Sequence, residues 1–303
     1  MSVVIWNPNA GKKLRGAKPA LTEDELRSLL DRHGIAARIV PTESSEDAQR
    51  AVHDAIASGH TTVIAAGGDG TIELVATELL GRQDIILGML PLGTVMNFAR
   101  MVGVPRDLDE AAAIIAEGRT RLIDAGEANG TPFYETLSVG MNAAMFSAAA
   151  HFEDGDWGSP LRVLTVAFRF QPARMTVELD DQTLSNRALM VTISNGVYMG
   201  LAMAVAPSAR LDDGHFDVRI FSRFSKVELL RHLAGIAFRR RRYIPRTATY
   251  RSARVRVTSH RPLPVRAESN DLGTTPLECR SRHAALRVIV GPDYADGNAE
   301  TDA

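Results

Sequence analysis

Thr61-Thr62-Val63-Ile64-Ala65-Ala66-Gly67-Gly68-Asp69-Gly70-Thr71 is the stretch that decides the fold. Thr61–Ala66 is a short apolar run closed by glycines, the pattern of a buried strand. Ile72–Leu80 continues with helical periodicity. Glycines between a strand and a helix let the backbone approach phosphate oxygens, and the helix N-terminus adds free N–H donors for an anion. The loop is not a P-loop, because Gly-x-x-x-x-Gly-Lys-Ser/Thr does not occur. Nor is it the dinucleotide fingerprint, because Glu73 stands where the third glycine belongs.

Working outward, the first 125 residues alternate strand and helix patterns. Strands are predicted at Ser2–Trp6, Ala36–Val40 and Asp84–Leu90. Helices are predicted at Ser45–Ser58, Thr94–Val102 and Asp109–Glu117, and from the capping box Thr22-Glu23-Asp24-Glu25. Such alternation implies a parallel sheet covered by helices on both faces. In that architecture Asn7-Pro8-Asn9-Ala10-Gly11, Thr42, the Gly67–Thr71 loop and Pro91-Leu92-Gly93-Thr94 all lie at carboxyl ends of strands, where ligands bind. Four such loops point to a phosphate-bearing ligand.

From residue 126 the texture changes to short, often alternating runs, among them Phe133–Val139, Ala188–Ser194, Phe216–Phe221 and Ala253–Thr258. Turn pairs such as Asp180-Asp181 and Asp213-Gly214 separate them. The expected architecture is therefore an α/β domain with a parallel sheet over residues 1–125. A mostly antiparallel, β-sandwich-like domain follows over 126–291. The stretch 292–303 carries four acids and no base and reads as a disordered tail.

Composition narrows the function classes. The chain has 303 residues, 45% of them hydrophobic, enough apolar material for two cores. A single cysteine, Cys279, excludes a disulfide scaffold and suits a reducing compartment. The amino terminus lacks the pattern of a secretory signal, and no run of 18 or more uncharged apolar residues occurs. No zinc-binding histidine pair and no Gly-x-Ser-x-Gly elbow is found. A cytoplasmic protein, peripheral at most to a membrane, is expected.

The net charge of −1 hides a separation. Residues 229–267 hold eleven arginines and no acid, leaving 24 basic against 36 acidic residues elsewhere. The densest run, Arg239-Arg240-Arg241-Arg242, follows an amphipathic pattern over Lys226–Phe238. A solvated helix end accounts for it. So does attraction to an anionic membrane surface, worth about 1 kcal/mol per arginine. Nucleic acid is not expected, because few aromatics are interleaved and no nucleic-acid motif accompanies the run.

The order Asn-Pro-x-Ala-Gly, Gly-Gly-Asp-Gly-Thr, Pro-Leu-Gly-Thr closely resembles the diacylglycerol kinase catalytic-domain family of soluble lipid kinases. Asn195-Gly196-Val197-Tyr198-Met199-Gly200, Ala206-Pro207-Ser208-Ala209 and Leu211-Asp212-Asp213-Gly214-His215-Phe216-Asp217-Val218 extend the likeness over nearly the whole chain. The resemblance implies an active site in a cleft between a nucleotide domain and a sandwich domain. It implies ATP over Asn7, Gly67, Gly68, Asp69, Gly70, Thr71, Thr94 and Asn97, with Thr42 nearby. It also implies a catalytic Mg²⁺ near Asp69 and Asp124. A second, structural Mg²⁺ is implied at Asp213, beside the main-chain carbonyls of Arg210 and His215. The γ-phosphoryl group would pass to a lipid hydroxyl, diacylglycerol-like or sphingoid-like, chemistry that depends on metal, positioning and a base.

Three departures touch that chemistry. Leu74 stands in a glutamate slot, Met96-Asn97 replaces Asn-Asp, and the C-terminal Asp-Gly-Glu slot reads Glu268-Ser269-Asn270. Asn270 cannot take a proton at neutral pH. Glu268 or Asp271 would supply the carboxylate instead. If 268 and 270 share a strand, they point to one face, which favours Glu268. The alternatives are a nucleotide- or lipid-binding pseudokinase, and an NAD kinase, which shares Gly-Gly-Asp-Gly-Thr.

Overall fold

The computed structural model describes residues 1–11, 21–150, 165–166, 168–200, 202–222 and 249–294. The amphipathic stretch 226–238, the run Arg239–Arg242 and residues 295–303 of the tail lie outside them. The chain divides into two compact units, Met1–Ala125 with His283–Ala303, and Gly126–Arg282. The stretch from His283, which the sequence places with the second half, thus packs with the first.

In the first unit, strands β1 (Ser2–Trp6), β2 (Ala37–Pro41), β3 (Thr62–Gly67) and β4 (Ile86–Pro91) run parallel in the order β2-β1-β3-β4. Their apolar runs (Val3, Val4, Ile5; Val63, Ile64, Ala65; Leu87, Met89) are buried, as both-faced coverage requires. Helices α1 (Glu23–Arg32), α2 (Ser45–Ala57), α3 (Asp69–Glu78), α4 (Asn97–Met101) and α5 (Leu108–Glu117) supply the cover. The predicted capping box is present: the Glu25 N–H donates to Thr22 Oγ1 (3.3 Å), and the Thr22 N–H donates to Glu25 Oε2 (2.8 Å). Those bonds hold the Glu25 carboxyl below its ordinary pKa. Helix α3 begins at Asp69, three residues earlier than predicted, and α4 at Asn97, three later than predicted.

Residues 292–294, which the sequence assigns to the tail, are tied down. Arg119 donates to the carbonyls of Gly291 and Tyr294.

The second unit is a sandwich of two antiparallel sheets. One contains β5 (Thr120–Ala128, entering from the first unit), β6 (Thr131–Phe133), β8 (Ala173–Glu178), β9 (Thr183–Ala188), β15 (Arg254–Ser259) and the first half of β18 (Leu277–Ile289). The other runs β14 (Thr249–Ser252), β13 (Phe216–Phe221), β10 (Met190–Ser194), β7 (Thr136–Gly140), β16 (Pro264–Ala267), β17 (Asn270–Thr274). Val177, Val255, Val257, Leu277 and Cys279 of the first sheet meet Leu137, Val139, Val191, Ile193, Phe216 and Val218 of the second in one core. Phe133 and Phe216 stack there at 5.6 Å between ring centres. Helix α6 (Met141–Ala150) follows β7.

The predicted strand Phe133–Val139 is broken at Tyr134–Glu135, whose N–H groups bond outside any ladder. Nor do Glu268 and Asn270 share a strand. Ala267 pairs with Asn270, so Glu268 and Ser269 form a two-residue hairpin turn, with Glu268 at φ 52°. The predicted common face therefore does not exist. Glu-Ser carries none of the Asn-Gly or Asp-Gly chemistry that announces such turns.

Candidate functional site

In the first unit the register of the sheet assembles the loops. Trp6 pairs with Pro41 on one side and with Ala66 on the other, and Ala66 pairs with Leu90, so four strands end at one level. The order reverses between β1 and β3, the switch point at which open α/β sheets bind ligands. The loops are laced there. The Asn7 N–H donates to the Ala66 carbonyl (2.9 Å), the Thr42 N–H to the Trp6 carbonyl (2.8 Å) and the Leu92 N–H to the Gly67 carbonyl (2.8 Å). Across the switch point Asn7 Nδ2 reaches Thr71 Oγ1 at 3.4 Å.

Asp69 joins two of the glycine loops. Its Oδ2 accepts the Met96 N–H and its Oδ1 the Asn97 N–H, both at 3.2 Å. Gly93 is pressed under this clasp. A Cβ there would lie 2.9 Å from Gly68 Cα and 2.5 Å from Met96 Sδ. Met96 itself is buried at φ 55°, a left-handed conformation that asparagine tolerates better. Gly68 caps α3 and supplies no side-chain acceptor for the first-turn N–H groups. They and the glycine backbone form a cradle suited to an anion. Thr42 is buried with its hydroxyl donated to Trp6, and Asn97 is buried beside Asp69. Gly70 and Thr94 are exposed.

The carboxylates proposed for metal are placed separately. Asp124 is buried, its Oδ1 meeting His283 Nδ1 and the Ala284 N–H, both at 2.8 Å. Asp213 accepts the His215 N–H (2.9 Å) and an ion pair from Arg251, while Arg210 turns to Asp212. Among the described residues no group of three or more His, Cys, Asp or Glu side chains is arranged to hold a metal. That donor set fits a Mg²⁺ arriving with nucleotide phosphates, which takes one or two carboxylates and keeps several waters. A cation at Asp213 would have to displace Arg251.

In the second unit Glu268 clasps the strand break. Its Oε1 accepts the N–H groups of Tyr134 (2.6 Å) and Glu135 (2.7 Å). Asn195 holds the same dipeptide from the other side: its Nδ2 donates to the Tyr134 carbonyl (3.1 Å), and the N–H groups of Asn195 and Gly196 donate to the Glu135 carbonyl. Asp271 is exposed and accepts the Gly273 N–H within the hairpin. The clasping role of Asn195 was not among the predicted site residues. Its signal, the pairing of an Asn-Gly with a carboxylate over 70 residues away, is not local.

A parallel sheet with glycine loops gathered at its switch point, in a chain that also carries an antiparallel sandwich, defines the class of α/β proteins joined to a β-sandwich unit. Residues 1–128 match the diacylglycerol kinase catalytic domain, and residues 136–290 match the YegS C-terminal NAD kinase beta sandwich-like domain. The chain belongs to the diacylglycerol kinase catalytic-domain family. It is 36% identical over 179 residues to a probable lipid kinase YegS-like of Pseudomonas aeruginosa, covering 57% of this chain and 59% of that protein. It thus spans under two thirds of that relative's length. It is 26% identical to the diacylglycerol kinase of Bacillus subtilis over 97% of both chains. The structure of a putative diacylglycerol kinase from Bacillus anthracis shares the fold, with a TM-score of 0.73 and 21% identity over 97% of this chain and 98% of the other. Among the described residues no helix is long and apolar enough to cross a membrane.

Proposed function

We propose that this chain is an ATP- and Mg²⁺-dependent lipid kinase that transfers the γ-phosphoryl group of ATP to the hydroxyl of a diacylglycerol-like or sphingoid-like lipid. The observation that carries the reading is the clasp at the switch point. Asp69 and Asn7 tie the Gly67–Thr71 loop to its neighbours, and glycines at 68 and 93 keep the backbone bare. Such a cradle holds phosphates by main-chain donors and the helix dipole. Asp69 and Asp124 are the carboxylates that would hold Mg²⁺, which when bound neutralises charge on the phosphate oxygens. The alcohol oxygen attacks the γ-phosphorus, and the bond to the ADP oxygen breaks. The hydroxyl proton passes to a carboxylate, for which Glu268 is the candidate; its Oε1 accepts the N–H groups of Tyr134 and Glu135.

The test is incubation with labelled ATP, Mg²⁺ and a panel of lipid alcohols. Labelled phospholipid is expected. Intact ATP binding with no transfer to any acceptor overturns the reading. NAD is included as acceptor and is expected to stay unlabelled.

One observation favours a second reading, a nucleotide- or lipid-binding pseudokinase: the clasp gives Glu268 a structural task without chemistry. Glu268→Gln separates the two, because a glutamine carbonyl can still accept both N–H groups but cannot take a proton. Turnover lost with folding intact supports the kinase, and an unchanged baseline supports the pseudokinase. The cationic run Arg239–Arg242 is proposed to draw the protein from the cytoplasm to anionic membranes. Salt-sensitive adsorption to anionic but not neutral vesicles is the expected result.

A further inference from the structure

In the second unit, the sheet that holds β8, β9 and β15 has a polar outer face whose charges are unevenly matched. Ala173, Met175 and Val177 of β8 enter the sandwich core, so Arg174, Thr176 and Glu178 point outward. At one end of this face arginines stand against acids: Arg254 against Asp180, Arg256 against Glu178 and Glu278, Arg280 against Glu127. At the other end they do not. Arg174 pairs in register with Arg187 of β9. Arg187 Nε donates to the Pro172 carbonyl (3.4 Å), and Arg261 Nη2 to the neighbouring Gln171 carbonyl (2.7 Å). Arg174, Arg187 and Arg261 are exposed, and among the described residues no ion pair holds any of them. Residues 165–176, 183–188 and 258–263 contain no acid. Like charges directly opposite each other on a sheet are unfavourable until an anion joins them.

Strand β9 is also an edge. Among the described residues it pairs with β8 alone. The direction of its main-chain groups follows from the turn before it. The Leu179 N–H donates to the Gln182 carbonyl (2.8 Å), closing a two-residue turn over Asp180-Asp181. Antiparallel strands exchange hydrogen bonds at every second pair. Counting from Leu179 and Gln182, the bonded pairs are Val177 with Leu184, Met175 with Asn186 and Ala173 with Ala188. Thr183, Ser185 and Arg187 therefore turn their N–H and C=O groups to the open edge, and their side chains share the outer face with Arg174. Leu184, between them, points the other way and packs against the sandwich core.

A charged edge residue deters chance pairing, so a strand added here must bring the opposite charge. A second copy of β9 does not, because it carries Arg187 and no acid.

We propose that the edge of β9 takes an extended, acidic segment of a partner protein as an additional strand. Main-chain bonds at Thr183, Ser185 and Arg187 hold the segment. Its carboxylates, at alternate positions, meet the field of Arg187, Arg174 and Arg261. The residues between the carboxylates are apolar and lie beside Leu184. This surface belongs to the second unit alone and does not rest on the kinase reading.

The experiment is fluorescence anisotropy of the full chain with labelled octapeptides: alternating Glu-Val, alternating Lys-Val, and Glu-Val N-methylated at each glutamate. In the added ladder the glutamates lie opposite Arg187 and Ser185 and give their N–H groups, so N-methylation removes the ladder and keeps the charge. Glu-Val is expected to bind about tenfold tighter than either of the others. Arg187→Glu is expected to lose Glu-Val and to take up Lys-Val. Ser185→Pro removes an N–H that β8 does not use, and is expected to weaken Glu-Val about tenfold with the melting temperature kept. Equal affinity for the N-methylated peptide overturns the proposal, because charge alone then accounts for binding. No binding of Glu-Val overturns it, as does unchanged affinity in both variants. A dimer of the unliganded chain that Ser185→Pro dissolves gives the edge to a second copy and overturns it. Anionic vesicles bound through Arg187, with the peptide unbound, do the same. If Ser185→Pro does not fold, Arg187→Glu against the two peptide charges decides alone.

Discussion

The switch-point loops of the first unit and the Glu268 clasp of the second do similar work by opposite means. Both pin backbone that belongs to no ladder, and both use one carboxylate to gather two successive N–H groups. In the first unit the surroundings are main chain. Gly67 leaves room for the Thr71 side chain, Gly68 and Gly93 bring two backbones together, and the strands' shared level sets the geometry. In the second the partners are side chains from a turn and a strand end remote in sequence, with Glu268 itself at a positive φ. A main-chain site tolerates little added volume beyond the one carboxylate that ties it. A side-chain site depends on the chemistry of each partner.

Substitutions can break that contrast. The largest effect is expected from Glu268→Gln, with phosphoryl transfer falling about 10²–10⁴-fold if its carboxylate is the base. Its thermal midpoint should stay close to the parent's, because the clasp is kept. Glu268→Ala should fall further and also lose about 2 kcal/mol of stability by denaturant unfolding, since two N–H groups lose their acceptor. If both variants melt alike, the clasp is not a structural element.

Asp69→Asn comes next. Asparagine has one carbonyl oxygen, so one of the Met96 and Asn97 N–H groups loses its acceptor and meets an amide N–H₂ instead. ATP affinity, read by calorimetry, is expected to drop about tenfold from the lost charge-assisted bond. Gly93→Ala tests volume alone. Its methyl must push Gly68 Cα away, and a loss of ATP affinity with about 1–3 kcal/mol of stability is expected. Normal ATP affinity in this variant would show that the close approach is incidental.

The smallest effect is expected at Cys279. It is buried in the sandwich core, and burial pushes its thiol pKa far above the usual value. A neutral, enclosed thiol should resist alkylation at pH 8 in the native protein and react only as the sandwich unfolds. Rapid native labelling would show that this core opens locally.

The contrast also explains what could be read in advance. Strand–helix alternation and glycine loops are local, so the parallel sheet and the loop residues were legible. Helix α3 starts early because Gly68, extended at φ −83°, is its cap, and the strand-like alanines hide that boundary. The turn at Glu268-Ser269 was not legible, because neither residue signals a left-handed position. The break at Tyr134–Glu135 was invisible for a related reason: its cause, Glu268, lies more than 130 residues away.

Strand β18 has a consequence for synthesis on the ribosome. Its Arg287 and Val288 pair with Ile86 and Leu87 of β4, about 200 residues earlier. Until that segment emerges, the nascent first unit carries β4 as an unpaired edge of a hydrophobic parallel sheet. Unpaired edges and long-range pairings make folding slow and leave intermediates prone to associate. A ribosome-stalled chain ending before residue 283 should therefore hold its glycine loops on an open sheet, a natural client for chaperones until the last strand closes it.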